Sequence, residues 1–154
     1  MISWVFFDLG GTLLDDSALV GAITRAYVEL LNARGFHVSF EEFADVRDLL
    51  RREGLDGLFR ILVISEEAGV SKPNPAIFER ALREAGCKPQ EAVMVGDRID
   101  FDVEPARALG FHTVRIKWGP FRNQVPLRAG QRPDVEVPSL REVPAALDRL
   151  VRWG

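Results

Sequence analysis

The sequence predicts an α/β fold built on a parallel sheet, and three observations carry that expectation. Short apolar runs without polar alternation recur at 3–8 (SWVFFD), 60–65 (RILVIS) and 92–97 (AVMVGD), as strands buried on both faces do, and 112–118 (HTVRIKW) reads as a fourth strand. Helical periodicity fills the stretches between them, and strands alternating with helices select parallel pairing with right-handed crossovers. Three of the runs end on a polar residue, Asp8, Ser65 or Asp97. Those ends would meet at one sheet edge, where ligands bind if the winding reverses there.

Each element has its own signal. Asp15, Asp16 and Ser17 offer N-caps to a helix carrying Leu19, Val20, Ile23, Tyr27, Leu30 and Leu31, ended by Gly35. Ser39 and Glu42 read as a capping box that opens a second helix with Phe43, Val46, Leu49 and Leu50, stopped by Gly54. After the 60–65 strand, Asn74 can cap and Pro75 suits the first turn of a helix bearing Ile77, Phe78, Ala81, Leu82 and Ala85, with Gly86 beyond it. A short helix is expected from Asp102 to Leu109, ended by Gly110. Residues 119–138 mix proline, glycine and polar residues and read as an irregular surface segment. Ser139 and Glu142 open a last helix with Leu140, Val143, Leu147, Leu150 and Val151.

Bulk properties narrow the function classes. At 154 residues the chain suits one domain with a real core. A net charge of −3 and a pI near 5.5 argue against nucleic acid and against anionic membranes as partners. Lys72, Lys88 and Lys117 are the only lysines among 20 basic residues, so arginine supplies the other 17. With nine prolines, that bias is compatible with heat adaptation or a GC-rich genome. Cys87 is alone, which excludes a disulfide framework and a cysteine metal cluster. No apolar run approaches the roughly 18 residues needed to span a bilayer, and residues 2–9 do not form a signal peptide. A cytoplasmic protein is the expectation.

Few residues can carry chemistry. Asp8 closes a buried run and enters LGGTL, where Gly10 and Gly11 let the backbone approach an anion and Thr12 can support the loop. Taken alone, Asp8 reads equally well as a turn residue satisfying backbone N–H groups. VGDRIDFD adds Asp97, Asp100 and Asp102, which also read as helix-start carboxylates. Two carboxylates and a backbone carbonyl at one edge suit Mg²⁺, which keeps waters and takes a further ligand from a phosphate. Lys72, ahead of Pro73, could neutralise a nucleophile and a phosphate dianion together, although a loop lysine is most often merely solvated. His37 and His112 share no ligand spacing, and neither a Gly-Lys-Ser/Thr phosphate loop nor a Ser-His-Asp arrangement is present.

These residues resemble the haloacid dehalogenase (HAD) superfamily. FFDLGGTLLD is similar to its first motif, SEEAGVSKPNPAIFERAL to its lysine motif, and EAVMVGDRIDFDVEPARALGFHTVRIKWG to its acidic fourth motif. PDVEVPSLREVPAAL resembles the family's C-terminal end. The resemblance implies a Rossmann-like core over 1–15 and 55–154, a mainly parallel three-layer sheet, and a truncated helical cap over 16–54. It implies Mg²⁺, a small phosphorylated substrate and an aspartyl-phosphate. By motif, Asp8 would be nucleophile and metal ligand, Gly10 would give its carbonyl to the metal, and Asp97 would bind it. Lys72 would steady the phosphate with Gly11 and Thr12, and Asp102 would support the site.

The chain departs from the family pattern twice. Gly10 stands where the phosphatases carry an acid/base aspartate, which implies low activity or an inactive binding or dimerisation module. The serine- or threonine-ended strand expected between cap and GLDGLF is also missing, so the chain reads as internally shortened. A sheet cannot keep an empty lane. The expectation is therefore that strand 60–65 moves beside strand 3–8, bringing Ser65 to the missing hydroxyl's place. Exchange of segments between two protomers is the rival solution, and cap helices without partners could pair in a homodimer.

Overall fold

Apolar runs without alternation need cover on both faces, and the sheet supplies it. The computed structural model describes residues 1–8, 29, 32–35, 37–41, 51, 54 and 56–153. The strands are β1 (Trp4–Asp8), β2 (His37–Glu41), β3 (Ile61–Val63), β4 (Ala92–Gly96), β5 (His112–Ile116) and β6 (Val135–Val137). They form one six-stranded sheet in the order β3-β2-β1-β4-β5-β6. Every pairing in it is parallel. Among the described residues the α-helices are α1 (Ser65–Ala68), α2 (Pro75–Ala85), α3 (Glu104–Leu109) and α4 (Val143–Trp153). This is the Rossmann-like α/β architecture that the sequence predicts.

Alternating side chains divide each buried strand between two layers. Val5, Phe7, Val93, Val95, Val114 and Ile116 pack on one side with Val143, Ala146, Leu147 and Leu150 of α4. Phe6, Ala92 and Met94 pack on the other with Ile77, Phe78, Ala81 and Leu82 of α2, and with Ala106 and Phe111. Each fully buried large apolar side chain is worth roughly 1.5–3 kcal/mol, so both layers are needed to hold the sheet. The boundaries of α2 follow its sequence signals: Asn74 accepts from the Ala76 N–H at 3.0 Å, and Gly86 closes the helix at φ 64°. Ser139 likewise accepts from the Arg141 N–H ahead of α4, as expected.

Three expectations are corrected. The lane beside β1 is filled by β2, which pairs Phe7 with Phe40 and Asp8 with Glu41, and β3 lies one lane further out. Neither the shift of strand 60–65 to β1 nor a segment exchange is required to fill it. The Ser39–Glu42 spacing suggested a helix cap, yet HVSFE also has the alternation of a strand. The unpaired N–H and C=O groups of β1 decide between the two. Residues 37–41 therefore belong to the core sheet rather than to a cap. The helices expected over 17–31 and 42–53 lie almost wholly outside the described residues.

The second correction is β6, which lies inside the stretch read as irregular. Its Val137 packs into the layer beneath α4, and its three residues pair with β5. The third concerns Ser65, which starts α1 instead of ending a strand. Among the described residues, no helix is long and apolar enough to cross a membrane.

Candidate functional site

The order of the strands fixes where the sheet can hold a ligand. The chain builds β2 and β3 on one flank of β1, then places β4, β5 and β6 on the other. The winding therefore reverses between β1 and β4, and loops leaving their carboxyl ends diverge to open a crevice. Asp8 ends β1, and the pairing of Phe7 with Val95 puts it level with Gly96. Asp97 follows immediately.

Asp102 reaches the same point by a different route. The chain from Ile99 to Val103 forms a π-turn that runs into α3, so the helical region starts three residues before the expected Asp102. Such turns re-aim side chains and are frequent at functional sites. Here Asp102 points inward and is 1% exposed. Asp100 points outward and pairs with Arg98 at 2.8 Å. Lys72, from the loop between α1 and α2, is also buried.

These four side chains form one group. Lys72 Nζ donates to Asp8 Oδ1 at 2.5 Å and to Asp102 Oδ1 at 2.8 Å. The other oxygen of Asp102 accepts from the Arg98 backbone N–H at 3.0 Å. Asp97 stands apart from this network: it is buried, and neither of its carboxylate oxygens has a hydrogen-bond partner among the described residues. Burial, and then the negative charge of Asp102, push its pKa up to about 6.

An orphaned buried carboxylate requires a reason. One oxygen each from Asp8, Asp97 and Asp102 lies within 4.8 Å of the others. Hard divalent cations bind oxygens at roughly 2.0–2.6 Å, so oxygens at this spacing can share one ion. Within the group three carboxylates face one ammonium, and a divalent cation would balance the remaining charge. All the donors are oxygens, as Mg²⁺ or a similar hard cation requires.

The sequence-predicted residues divide into three sets. Asp8, Lys72, Asp97 and Asp102 come together. Gly10, Gly11 and Thr12 lie outside the described residues. Ser65 sits after β3, and two strand spacings, about 10 Å, separate β3 from β1. Sequence reasoning missed a network behind Asp97 built from Arg98, Arg115, Gln124 and Glu136. Arg115 is fully buried and donates to the carbonyls of Asp97, Phe121 and Gln124 and to Glu136. Its signal was an arginine set between the apolar Val114 and Ile116 of HTVRIKW. Arg98 lies over the rings of Phe101 and Phe121, at 3.6 Å and 4.4 Å from their centroids.

Known proteins resemble this chain in sequence and in fold. Residues 69–143, which include Lys72, Asp97 and Asp102, match the family described as HAD-hydrolase-like. The chain is 47% identical over 94 residues to the glyceraldehyde 3-phosphate phosphatase of Methanopyrus kandleri, covering 61% of this chain and 40% of that protein. It is 40% identical over 97 residues to the phosphoserine phosphatase of Thermus thermophilus, covering 63% of this chain and 37% of that protein. The matched segment thus spans about two fifths of these curated relatives. A crystal structure of a HAD phosphatase from Thermococcus onnurineus superimposes with a TM-score of 0.76 at 20% identity, over 95% of this chain and 98% of that one. That last likeness is one of fold.

Proposed function

We propose that this chain, which is similar to the HAD-hydrolase-like family over residues 69–143 and to a curated phosphatase over 94 residues, is a member of the haloacid dehalogenase superfamily and a slow, Mg²⁺-dependent hydrolase of small phosphate monoesters. The observation that carries the proposal is the unpartnered carboxylate of Asp97 beside the Lys72–Asp8–Asp102 group. A buried site with excess negative charge and one fixed ammonium suits a cation and a phosphate bound together. The names of the two relatives support small phosphorylated substrates.

In this reading Asp8 and Asp97, with the Gly10 carbonyl, would hold Mg²⁺, whose charge would offset that of the phosphoryl oxygens. A carboxylate oxygen of Asp8 attacks phosphorus in line, the ester P–O bond breaks with its electron pair leaving on the ester oxygen, which takes its proton from solvent, and the phosphoryl group rests on Asp8 as an acyl phosphate. Water then attacks that phosphorus, releasing inorganic phosphate and regenerating the Asp8 carboxylate. Lys72 lowers the repulsion between Asp8 and the incoming dianion, and Asp102 holds Lys72 in place. Gly11 and Thr12 would line the phosphate. Ser65 drops out of the assignment because β2 separates its strand from β1. Positioning and electrostatics carry most of phosphoryl transfer.

Gly10 sets the rate. It offers no side chain to protonate the leaving oxygen or to activate water, and general acid–base help of this kind is worth about 10²–10⁴ in rate. The same glycine is the observation that favours the alternative, an inactive phosphate- or partner-binding module. Self-association through the cap helices expected over 17–31 and 42–53 belongs to either reading, and sedimentation at micromolar concentration tests it. A generic aryl phosphate assayed with and without Mg²⁺, beside Asp8→Asn, decides between the two. Mg²⁺-dependent turnover lost in D8N supports the hydrolase, and equal rates for the two proteins remove it.

A further inference from the structure

A carboxylate with no hydrogen-bond partner can be aimed only through its own backbone. Among the described residues Asp97 is such a group, and its carbonyl accepts from Arg115 Nε at 3.2 Å. Arg115 lies on β5 opposite Gly96 on one side and Glu136 on the other, so its guanidinium is brought directly to the end of β4. Nη1 donates to the Gln124 carbonyl at 2.8 Å and to Glu136 Oε1 at 3.0 Å, while Nη2 donates to the Phe121 carbonyl at 2.8 Å.

Those acceptors draw residues 121–124 against the turn that follows Asp97. The Gln124 side chain then closes a ring. Its Oε1 accepts from the Ile99 N–H at 2.7 Å, and its Nε2 donates to Asp100 Oδ1 at 2.8 Å. The backbone that follows the Asp97 side chain is thus tied to one buried cation, directly at the Asp97 carbonyl and through Gln124 at the Ile99 N–H. A planar fork of donors is suited to holding several acceptors in fixed directions at once.

We infer that Arg115 is a positioning residue for Asp97: it aims the carboxylate through the main chain and leaves both carboxylate oxygens available to a cation. A side-chain hydrogen bond could aim the group equally well, but it would occupy a lone pair the ion needs. The inference rests on the reading of Asp97 as a cation ligand. Partners that orient metal ligands indirectly typically contribute 10–100-fold in metal affinity.

The test measures Mn²⁺ binding by electron paramagnetic resonance of the free ion on the full chain, for the native protein, D97N, R115K and Q124A. Lysine keeps the charge but cannot reach four acceptors in one plane. R115K should unfold cooperatively yet bind Mn²⁺ about 10–100-fold more weakly, and Q124A should shift in the same direction by less. In the aryl phosphate assay the deficit should lie in the apparent cation constant rather than in turnover at saturating cation. Native Mn²⁺ affinity in both R115K and Q124A, with binding lost in D97N, overturns the inference and leaves the cation site standing. Native affinity in D97N removes the site itself, and the inference with it. Should R115K fail to fold, Q124A decides, and unchanged affinity there overturns the proposal.

Discussion

Gly96 has no side chain because Asp102 occupies the space a side chain would need. A Cβ built at Gly96 would stand 2.6 Å from the Cβ of Asp102, well inside any real contact. The last residue of β4 is thus shaped by a carboxylate six residues later, and through Asp102 it bears on Lys72 and the Arg98 amide.

Gly96→Ala should therefore push Asp102 out of its place. Overpacking of this kind costs about 1–3 kcal/mol, and a chain of this size loses roughly 2–4 °C in Tm per kcal/mol. Calorimetry reads the stability loss. Mn²⁺ titration should show weakened binding in the same variant.

Lys72→Met leaves Asp8 and Asp102 facing each other without the ammonium between them. Breaking a buried ion pair by removing one partner costs about 3–5 kcal/mol. Aryl phosphate turnover should fall about 10²–10³-fold, the scale of a lost electrostatic donor. Lys72→Arg should not restore it, since a planar fork does not replace a point charge. Steady-state kinetics on both variants checks this.

Asp97 gives the metal-free protein a distinctive pH dependence. Its folded pKa of about 6 lies above the ordinary 3.8 because burial and Asp102 disfavour the anion. Between those values the folded chain keeps a proton that the unfolded chain has released, so stability falls as pH rises through the window. Urea midpoints taken in EDTA from pH 4 to pH 7 should fall more steeply for the native protein than for Asp97→Asn. Parallel profiles would show that Asp97 ionises as an ordinary carboxylate.

Gly10→Asp should raise turnover if acid–base help is what the chain lacks. The gain should approach the usual 10²–10⁴ on an alkyl phosphate, whose leaving oxygen needs a proton. On an aryl phosphate it should be much smaller, since that leaving group departs readily as an anion. Comparing kcat on the two substrates checks the point.

The catalytic candidates were legible because charge is conspicuous where apolar strands end. Asp8 and Asp97 close buried runs, and Lys72 stands directly ahead of the turn and cap residues Pro73, Asn74 and Pro75. Asp102 was legible by type but not by direction, since only the π-turn separates it from Asp100, which faces Arg98. Arg115 was not legible as a positioning group. Three of its four acceptors are main-chain carbonyls, which every residue has, and two of those belong to a segment without periodicity. β2 was hidden because Ser39 makes a helix-cap spacing with Glu42, beyond the strand, while residues 37–41 carry a strand alternation, and only the need of β1 for a neighbour separates the two readings. β6 is three residues long among prolines, too short for any period to declare itself.

That brevity bears on how the molecule behaves in a crowded solution. The two outermost lanes, β3 and β6, are each three residues long, whereas every inner strand has five. A rim that offers so few open N–H and C=O groups is a poor template for another chain to zip onto, and β6 carries the exposed Glu136 at its centre. Short, charged edges are how natural sheets resist joining edge to edge. Lengthening β6 with apolar residues, by contrast, would invite fibres from a sheet that is otherwise closed to them.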